Sequence, residues 1–490
     1  MNPSLSDYSR LSQTHRYIPL SMRIMGDTLT PVRVYRAIRS MSPYSYLLES
    51  VQQNEKLGRF SWIGIDPQMI FESRGRKISV KTEDSWRHYE GNPLDELFHE
   101  MEAFRPVLSD ELLPYQGGVV GYFGYDTIRH FEEIPDANPD HLEIPESLFI
   151  LPKTVIVFDH LYQSVRLITL LDAQKKDAYV TGTGYLSSLL DAIADSDDKS
   201  DLQLEADESD SEMPFESNMS KQAFMAAVER AKRYIVEGDI FQVVLSQRFQ
   251  VPFEGDPFEL YRSLRRINPS PYLFYLHYPD FQVAGSSPEI LVKRHQDTLT
   301  LRPIAGTRKR GPSEEQNKRM ERELLNDPKE LAEHMMLVDL GRNDLGRISR
   351  FGSVRPTQFK YIENYSHVMH IVTNLEGQLA AGKSNSDLIK ATFPAGTLTG
   401  APKVRAMEII DELEVSKRGF YGGAVANIDY GGNFDSCIGI RSVLLKNDTA
   451  YVQAGAGIVA DSQPEKEYEE SINKAKAVIK AIQLARRENK

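Results

Sequence analysis

A single cysteine, Cys437, stands among 490 residues, so no internal disulfide can form, which fits a reducing compartment. Long apolar runs are missing as well. No stretch of about 18 apolar residues occurs, so no membrane span is expected. The opening "MNPSLSDYSRLSQTHRYIPL" has no apolar core of signal-peptide length. A cytoplasmic protein is the expectation. Positive charge is also short: Lys and Arg number 58 against 70 Asp and Glu, a net charge of −12. No basic footprint for nucleic acid appears. The phosphate-binding pattern G-x-x-x-x-G-K-[ST] is absent, the histidines lack zinc-ligand spacing, and a lone cysteine excludes a thiolate metal site.

What is present is ordinary globular material, 41% hydrophobic and 26% charged. The length exceeds what one hydrophobic core holds, so two domains or large subdomains are expected. The negative charge is concentrated. Residues 191–217, "DAIADSDDKSDLQLEADESDSEMPFES", carry 11 acidic residues and one lysine, which leaves the rest of the chain close to neutral. Such a segment is too charged to bury and reads as a linker or surface loop, with an acidic interaction tail as the sharper alternative. It separates an N-terminal region, 1–190, from a C-terminal domain, 218–490.

The N-terminal region is rich in β-branched and aromatic runs: "YSYLLES" (44–50), "RFSWIGIDPQMIFES" (59–73), "KISVKTE" (77–83) and "KTVIVFDHLYQSVRLITLL" (153–171). "PLDELFHEMEAF" (93–104) has apolar residues at helical spacing. Past the acidic segment, "SKQAFMAAVERAKRYIVEGD" predicts an amphipathic helix whose stripe is Phe224, Val228, Ala231 and Ile235 and whose end is Gly238. Strands follow, then a helical stretch over 314–340, helices near 385–392 and 404–413, more strands, and a last helix from about 464 to 486. Strands in hairpin-like succession with helices between groups predict an α+β fold of mostly antiparallel sheets with flanking helices, not a doubly wound parallel sheet.

Two glycine-rich stretches are decoys. "GAGIVA" (455–460) matches a loose dinucleotide pattern, but "DSQPE" follows where the fingerprint needs a helix to open. "GGVVGYFGYD" (117–126) is apolar and aromatic, which suggests tightly packed backbone.

Carboxylates carry the stronger signal. In "DPKELAEHMMLVDLGRND" Glu330 and Glu333 are three apart on one helix face, with His334 beside them, and Glu467 and Glu470 repeat the spacing in the last helix. A wet helix surface explains either pair alone. If both pairs face one cleft, two carboxylates about 5 Å apart repel by roughly 3 kcal/mol at an effective dielectric near 20, and four need a cation. Mg²⁺ answers that need: it is hard, prefers oxygen, and takes one or two carboxylates together with an anionic substrate.

Five motifs found together in order supply the context: "PIAGTRKRG" (303–311), "DPKELAEHMMLVDLGRNDLGR" (327–347), "FPAGTLTGAPKVRAMEIID" (393–411), "DSCIGIRS" (435–442) and "AGAGIVADSQPEKEYEE" (454–470). The C-terminal half, about 218–486, resembles the chorismate-utilising enzymes, and "YLLES" with "FSWIG" resembles the N-terminal region of the component I anthranilate synthases in that family. The resemblance implies a chorismate-binding fold and makes 218–490 the catalytic domain. It implies that Glu330 and Glu467, with Glu333 and Glu470 beside them, hold Mg²⁺ against the ring carboxylate of chorismate. Arg441 and the amides of Gly455 and Gly457 would grip the second carboxylate, and Thr397, Tyr421 and the Ala305-Gly306-Thr307 run would line the site. Glu289 matches the general acid that protonates the departing ring hydroxyl, and His370 the histidine of the elimination step. Taken alone, Glu289 is an ordinary residue after a turn and His370 an ordinary core histidine.

Two positions choose among relatives. Isochorismate and salicylate synthases carry a lysine base where this chain has Gln242, and many aminodeoxychorismate synthases have a nucleophilic lysine where it has Ala305. Glutamine cannot activate water, whereas ammonia needs only positioning, so ammonia addition to chorismate giving anthranilate and pyruvate is the expectation. Aminodeoxychorismate synthesis is the rival, and a non-catalytic amino-acid sensor a more distant one. Cys437 sits in "FDSCIGIRS", which is no nucleophile elbow, so glutamine cleavage is left to a separate glutaminase in a hetero-oligomer. "LLES" (47–50) and "NPSPYLFY" (268–275) resemble the family's tryptophan feedback site. The resemblance assigns Glu49, Ser50, Asn268, Pro269, Pro271, Tyr272, Phe274 and Cys437 to it, although such runs are ordinarily core strand.

Overall fold

A computed structural model describes residues 1–488 apart from 51–57, 84, 113, 116, 196–212 and 365–367. The fold is α+β, and the named strand pairs are antiparallel throughout. Two long strands, Phe60–Arg74 and Ser147–Asp159, pair along almost their whole length, with a bulge near Pro67–Met69. They organise everything else, because each half of the pair extends into a different layer, or sheet, of one continuously hydrogen-bonded array of strands. Asp159, Ile156 and Ile63 join one sheet through Ser164–Asp172 and Ser45–Glu49. That sheet runs on through Tyr272–His277, Gln282–Ser287, Ser442–Lys446, Thr449–Ile458 and Gln242–Pro252. The other halves lead through Val119–Phe123 and Ala424–Ile428 to Phe434–Ile438, Ile290–His295, Thr298–Leu301 and Val368–Gln378.

Both sheets therefore mix strands from before and after residue 218. Ser45–Glu49 pairs with Tyr272–His277, and Val119–Phe123 with Ala424–Ile428. The apolar faces close over a shared core in which Tyr46, Phe274, Leu276 and Val283 of one meet Ile70, Tyr122, Leu148 and Ile150 of the other. Each strand contributes alternate residues to that core, which is what period-2 patterning supplies.

The helices cover the outer faces. Lys221–Glu237 starts at Ser220, whose side chain accepts from the Ala223 amide, and ends at Gly238 in the left-handed region. Its stripe packs on Val243, Ile410 and Ile458. The last helix, Pro464–Glu488, lays Ala475, Ile479 and Ile482 on Phe249, Leu260 and Val443. The helical stretch expected over 314–340 is two helices, Glu314–Leu325 and Pro328–Gly346. Asp327 causes the break: its side chain caps the Lys329 and Glu330 amides, and Pro328 follows as the first helical residue.

"GGVVGYFGYD" is tightly packed backbone, since a Cβ on Gly121 would stand 2.0 Å from the Leu148 carbonyl oxygen. "GAGIVA" ends the strand Thr449–Ile458, and no helix opens before Pro464. Most of the acidic segment lies outside the described residues, and its flanks are the end of the helix Ala178–Ala194 and a short strand, Glu216–Ser217, against Phe249–Gln250. Among the described residues no helix is long and apolar enough to cross a membrane.

Candidate active site

The strand Ile304–Lys309 carries an extra residue where it meets Val368–Gln378: Ala305 pairs with Ile371 and Thr307 with His370, leaving Gly306 in a bulge. Gly306 has φ of +66°, and a Cβ there would come within 3.1 Å of Glu330 Oε2. Only glycine combines that backbone with that approach. The bulge turns the Gly306 carbonyl onto His370, whose Nδ1 lies 3.0 Å from it, with Thr307 Oγ1 at 3.1 Å. A carbonyl oxygen only accepts, so Nδ1 carries the proton and the basic lone pair belongs to Nε2. Burial pushes the His370 pKa down, against the Gly306 bond, and Arg441 lowers it further. The ring is therefore neutral at physiological pH.

Glu289 lies between the strands Gln282–Ser287 and Ile290–His295, its carbonyl held by the Ile438 amide at 3.0 Å. Its carboxyl accepts a hydrogen bond from Thr397 Oγ1 at 2.9 Å. Burial pushes its pKa from 4.5 to about 7, although the Thr397 bond and the charge of Lys474 pull the other way. Desolvation wins, and the carboxyl can give a proton near neutral pH.

Arg441 sits at φ of +51°, in the left-handed region that a β-carbon disfavours. Its Nη1 donates to the Lys474 carbonyl at 3.3 Å, and among the described residues no carboxylate pairs with it. Burial lowers its pKa, partly offset by Tyr421 and Glu470. A desolvated guanidinium without a carboxylate partner is a ready anion site. Tyr421 is buried beside it, its hydroxyl pushed up to about 12 by burial. Gly455 and Gly457 line the strand next to Gln242–Pro252. A Cβ on Gly455 would stand 2.4 Å from the Leu245 carbonyl oxygen, and one on Gly457 would stand 2.6 Å from Gln242 Nε2. The glycines thus admit both backbone and the Gln242 amide. Ala305 is buried and Thr307 exposed.

The two glutamate pairs face each other. Glu333 is raised by burial first, then by the charges of Glu330 on its own helix and Glu470 on the other. Glu467 is likewise raised by burial and by Glu470. Lys329 bonds Asp461 at 2.9 Å and so ties the start of one helix to the turn before the other. Basic side chains meet two of the four acids: Arg308 Nη1 bonds Glu330 at 2.7 Å and Lys474 Nζ bonds Glu470 at 2.7 Å. Among the described residues no three acidic, histidine or thiol groups form a metal-sized cluster. His334 does not share their face. It is fully buried with Nε2 2.7 Å from Thr373 Oγ1, and burial pushes its pKa down to about 4.

Lys474 and Arg308 went unnoticed in the sequence. Lys474 also bonds the Gly455 carbonyl at 3.0 Å, so it touches three of the features above. Its position four residues past Glu470 on one helix was the available signal. Arg308 follows directly on the "PIAGT" run.

A separate cavity of about 590 Å³ opens at the joint of the strands Ser45–Glu49 and Tyr272–His277. Glu49, Ser50, Pro271, Tyr272, Phe274 and Cys437 line it, joined by Trp62, Lys293 and Asp435, which the sequence did not suggest. Asn268 and Pro269 are not among its walls; Asn268 instead accepts from the Ser286 hydroxyl through its carbonyl. The Glu49 carboxylate is already held by Tyr261 at 2.6 Å and Arg265 at 3.0 Å. Asp435 accepts from the Tyr272 hydroxyl and from Lys293, each at 2.8 Å. The strand Phe434–Ile438 thus contributes Asp435 and Cys437 to the cavity and bonds Glu289 through the Ile438 amide.

Comparison with known proteins gives the family. The chorismate binding enzyme family matches residues 30–480. Anthranilate synthase component 1 of Acetivibrio thermocellus is 46% identical over 488 residues, covering 99% of each chain. The Pseudomonas aeruginosa protein of the same name is 45% identical over 96% of each. The crystal structure of anthranilate synthase component I from Streptococcus pneumoniae superposes with a TM-score of 0.74 at 36% identity, covering 93% of this chain and 99% of that one. The menaquinone-specific isochorismate synthase of Escherichia coli, at 17% identity and a TM-score of 0.72 over 98% and 99%, shares the fold. By the match of its sequence and of its fold, this chain belongs to the chorismate-binding enzymes, in the anthranilate synthase component I family.

Proposed function

We propose that the chain is the aminating subunit of an anthranilate synthase, a Mg²⁺-dependent carbon–oxygen lyase of tryptophan biosynthesis working in the cytoplasm. Residues 218–490 form its catalytic domain, 1–190 its N-terminal region, and 191–217 a linker or surface loop between them. The observation that carries the reading is Glu289, a carboxyl that can give a proton near neutral pH and is aimed by Thr397, in a chain with Gln242 where water-adding relatives have a lysine base. Such a site can protonate a leaving hydroxyl, and Gln242 itself cannot activate water.

Chorismate would bind with one carboxylate on Arg441 and the Gly455 and Gly457 backbone. The glutamate pairs fit a divalent cation chemically, being four oxygen donors on facing helices whose charges already repel. Glu330 and Glu467, supported by Glu333 and Glu470, would hold Mg²⁺, and Arg308 and Lys474 would give way as it binds. Bound there, the ion supplies positive charge for the ring carboxylate. Ammonia then attacks C2 of the ring, the double bonds shift, and the C4 hydroxyl leaves as water with the proton of Glu289. His370, neutral and basic at Nε2, takes the C2 proton as the enolpyruvyl group departs, and that group leaves as pyruvate once it regains a proton on carbon. The ring becomes aromatic in this step, which drives it.

Ammonia would come from a separate glutaminase subunit, since Cys437 is buried and its thiol is pushed well above the usual range by burial. The cavity beside Ser50 and Tyr272 suits tryptophan, with apolar walls for an indole and Asp435 for an amino group. Binding there acts on turnover through the strand Phe434–Ile438, which bonds Glu289.

The test is direct. Purified chain is incubated with chorismate, Mg²⁺ and ammonium at about pH 8.5, and anthranilate fluorescence is followed with and without EDTA and tryptophan. Fluorescence that requires Mg²⁺ and fades with tryptophan supports the reading. A non-aromatic amino product points to aminodeoxychorismate synthesis, and untouched chorismate removes the reading for the isolated chain.

A further inference from the structure

Among the described residues Arg418 is one of the largest fully buried side chains, and nothing in the chemistry above uses it. Glu414, one turn back, balances its charge: Nε lies 3.0 Å from Oε2 and Nη2 2.6 Å from Oε1. The rest of the guanidinium fork points elsewhere. Nη1 donates to the Leu398 carbonyl at 2.7 Å and Nη2 to the Val244 carbonyl at 2.7 Å. Leu398 directly follows Thr397, and Val244 is two residues from Gln242. The Val244 amide in turn donates to the Thr399 carbonyl at 2.8 Å, so the two segments are stitched at the guanidinium. The flat faces of the same group lie 4.7 Å from the Tyr125 ring centre and 5.6 Å from that of Tyr421. One buried cation therefore touches the segments or rings of three residues that line the site: Thr397, Gln242 and Tyr421.

A planar fork with fixed donor directions holds several acceptors in one geometry, which a single ammonium cannot copy. Ion pairing alone would need only the two bonds to Glu414. The bonds to Leu398 and Val244 are extra, and they end one or two residues from groups that touch the chemistry.

We propose that Arg418 is a positioning residue for the reaction: its fork fixes the Gly396–Leu398 turn so that the Thr397 hydroxyl meets Glu289. The proposal rests on reading Glu289 as the proton donor. The other charged group facing the Glu289 carboxyl is Lys474 on the last helix, which Arg418 does not contact.

Arg418→Lys keeps the charge for Glu414 and removes the fork. In this variant kcat should fall about 10- to 100-fold, the loss that follows displacement of a reacting group by around 1 Å. KM for chorismate should stay within about threefold, since Arg441 and the glycine backbone are untouched. Loss of the Thr397 bond removes support for the Glu289 carboxylate, so the basic limb of the kcat–pH profile should move up. Thr397→Val should move it in the same direction, and the double variant should be no slower than Thr397→Val alone. Tryptophan binding to the remote cavity, measured by calorimetry, reports that the fold is intact. Glu414→Gln, which leaves the fork on Leu398 and Val244, should lower Tm and leave the basic limb in place.

An Arg418→Lys enzyme with wild-type kcat and pH limb overturns the proposal, as do additive losses in the double variant. A limb that shifts in Glu414→Gln also overturns it, because the ion pair and not the fork would then matter. Infrared titration of the Glu289 carboxyl in the substrate-free protein, assigned with Glu289→Gln, reads the effect of Arg418 without any turnover. If Glu289→Gln stays fully active, the reading of Glu289 fails, while the infrared titration still judges Arg418.

Discussion

Glu289 and Gly306 each accept a cost that the rest of the fold covers. The Glu289 carboxyl has a pKa raised from 4.5 to about 7, so between those values the folded protein holds a proton that the unfolded chain has lost. Stability from this group is complete below pH 4.5 and gone above pH 7, falling as pH rises. Glu289→Gln removes the charged form, so its Tm should exceed that of the wild type at pH 8 and match it near pH 4. The same substitution should cut kcat by roughly 10²- to 10⁴-fold, the usual worth of a positioned proton donor. In the wild type, at constant free ammonia, kcat should decline with rising pH along a limb near 7, because the acid form is the active one. At Gly306 the cost is conformational. Gly306→Ala forces a β-carbon into φ of +66° and against Glu330, so stability should drop by about 1 kcal/mol or more in chemical denaturation. It should also lower kcat, because the bulge carbonyl that orients His370 moves with it.

Between helices the question is charge. Glu333 and Glu467 are raised in part by neighbouring glutamates, so the ion-free protein carries repulsion that Arg308 and Lys474 offset only in part. Added Mg²⁺ should therefore raise Tm as its concentration passes the binding constant. Glu467→Gln should abolish that rise and weaken the activating affinity for Mg²⁺ by roughly tenfold or more in titrations of EDTA-treated enzyme. This was the part most legible in the sequence: two acids at i, i+3 on a helix, twice, and a helix whose end is marked by Gly238. Where local signals were mixed the reading blurred. The cap at Asp327 was passed over inside an otherwise helical run, and His334 was grouped with the acids by adjacency although its ring turns inward to Thr373. Lys474, Arg308 and Arg418 were missed because their roles depend on carbonyls and acids far away in the chain. No periodicity encodes such partners. The family motifs reached Glu289, His370 and Arg441; the spacing of those residues alone would not have.

For the molecule as a whole, the arrangement that matters is the weaving of the two sheets. Ser45–Glu49 and Tyr272–His277 together wall the cavity of about 590 Å³, so a ligand there bears at once on strands from before and after the acidic segment. Ser50→Tyr should fill part of this space. Its expected result is loss of tryptophan binding in calorimetry and loss of inhibition, with uninhibited kcat within about threefold of wild type because Glu289 and Arg441 lie elsewhere. The same weaving governs how the protein comes into being. Val119–Phe123 pairs early on one side with Ser147–Asp159, but its other neighbour, Ala424–Ile428, is made only about 300 residues later. At bacterial or eukaryotic synthesis speeds the ribosome needs roughly 15 to 60 s to cover that distance. Throughout that interval a strand of five core residues waits at an open sheet edge, available to any other nascent chain. Production of this enzyme should therefore depend on chaperone supply and on translation rate far more than its finished stability would suggest.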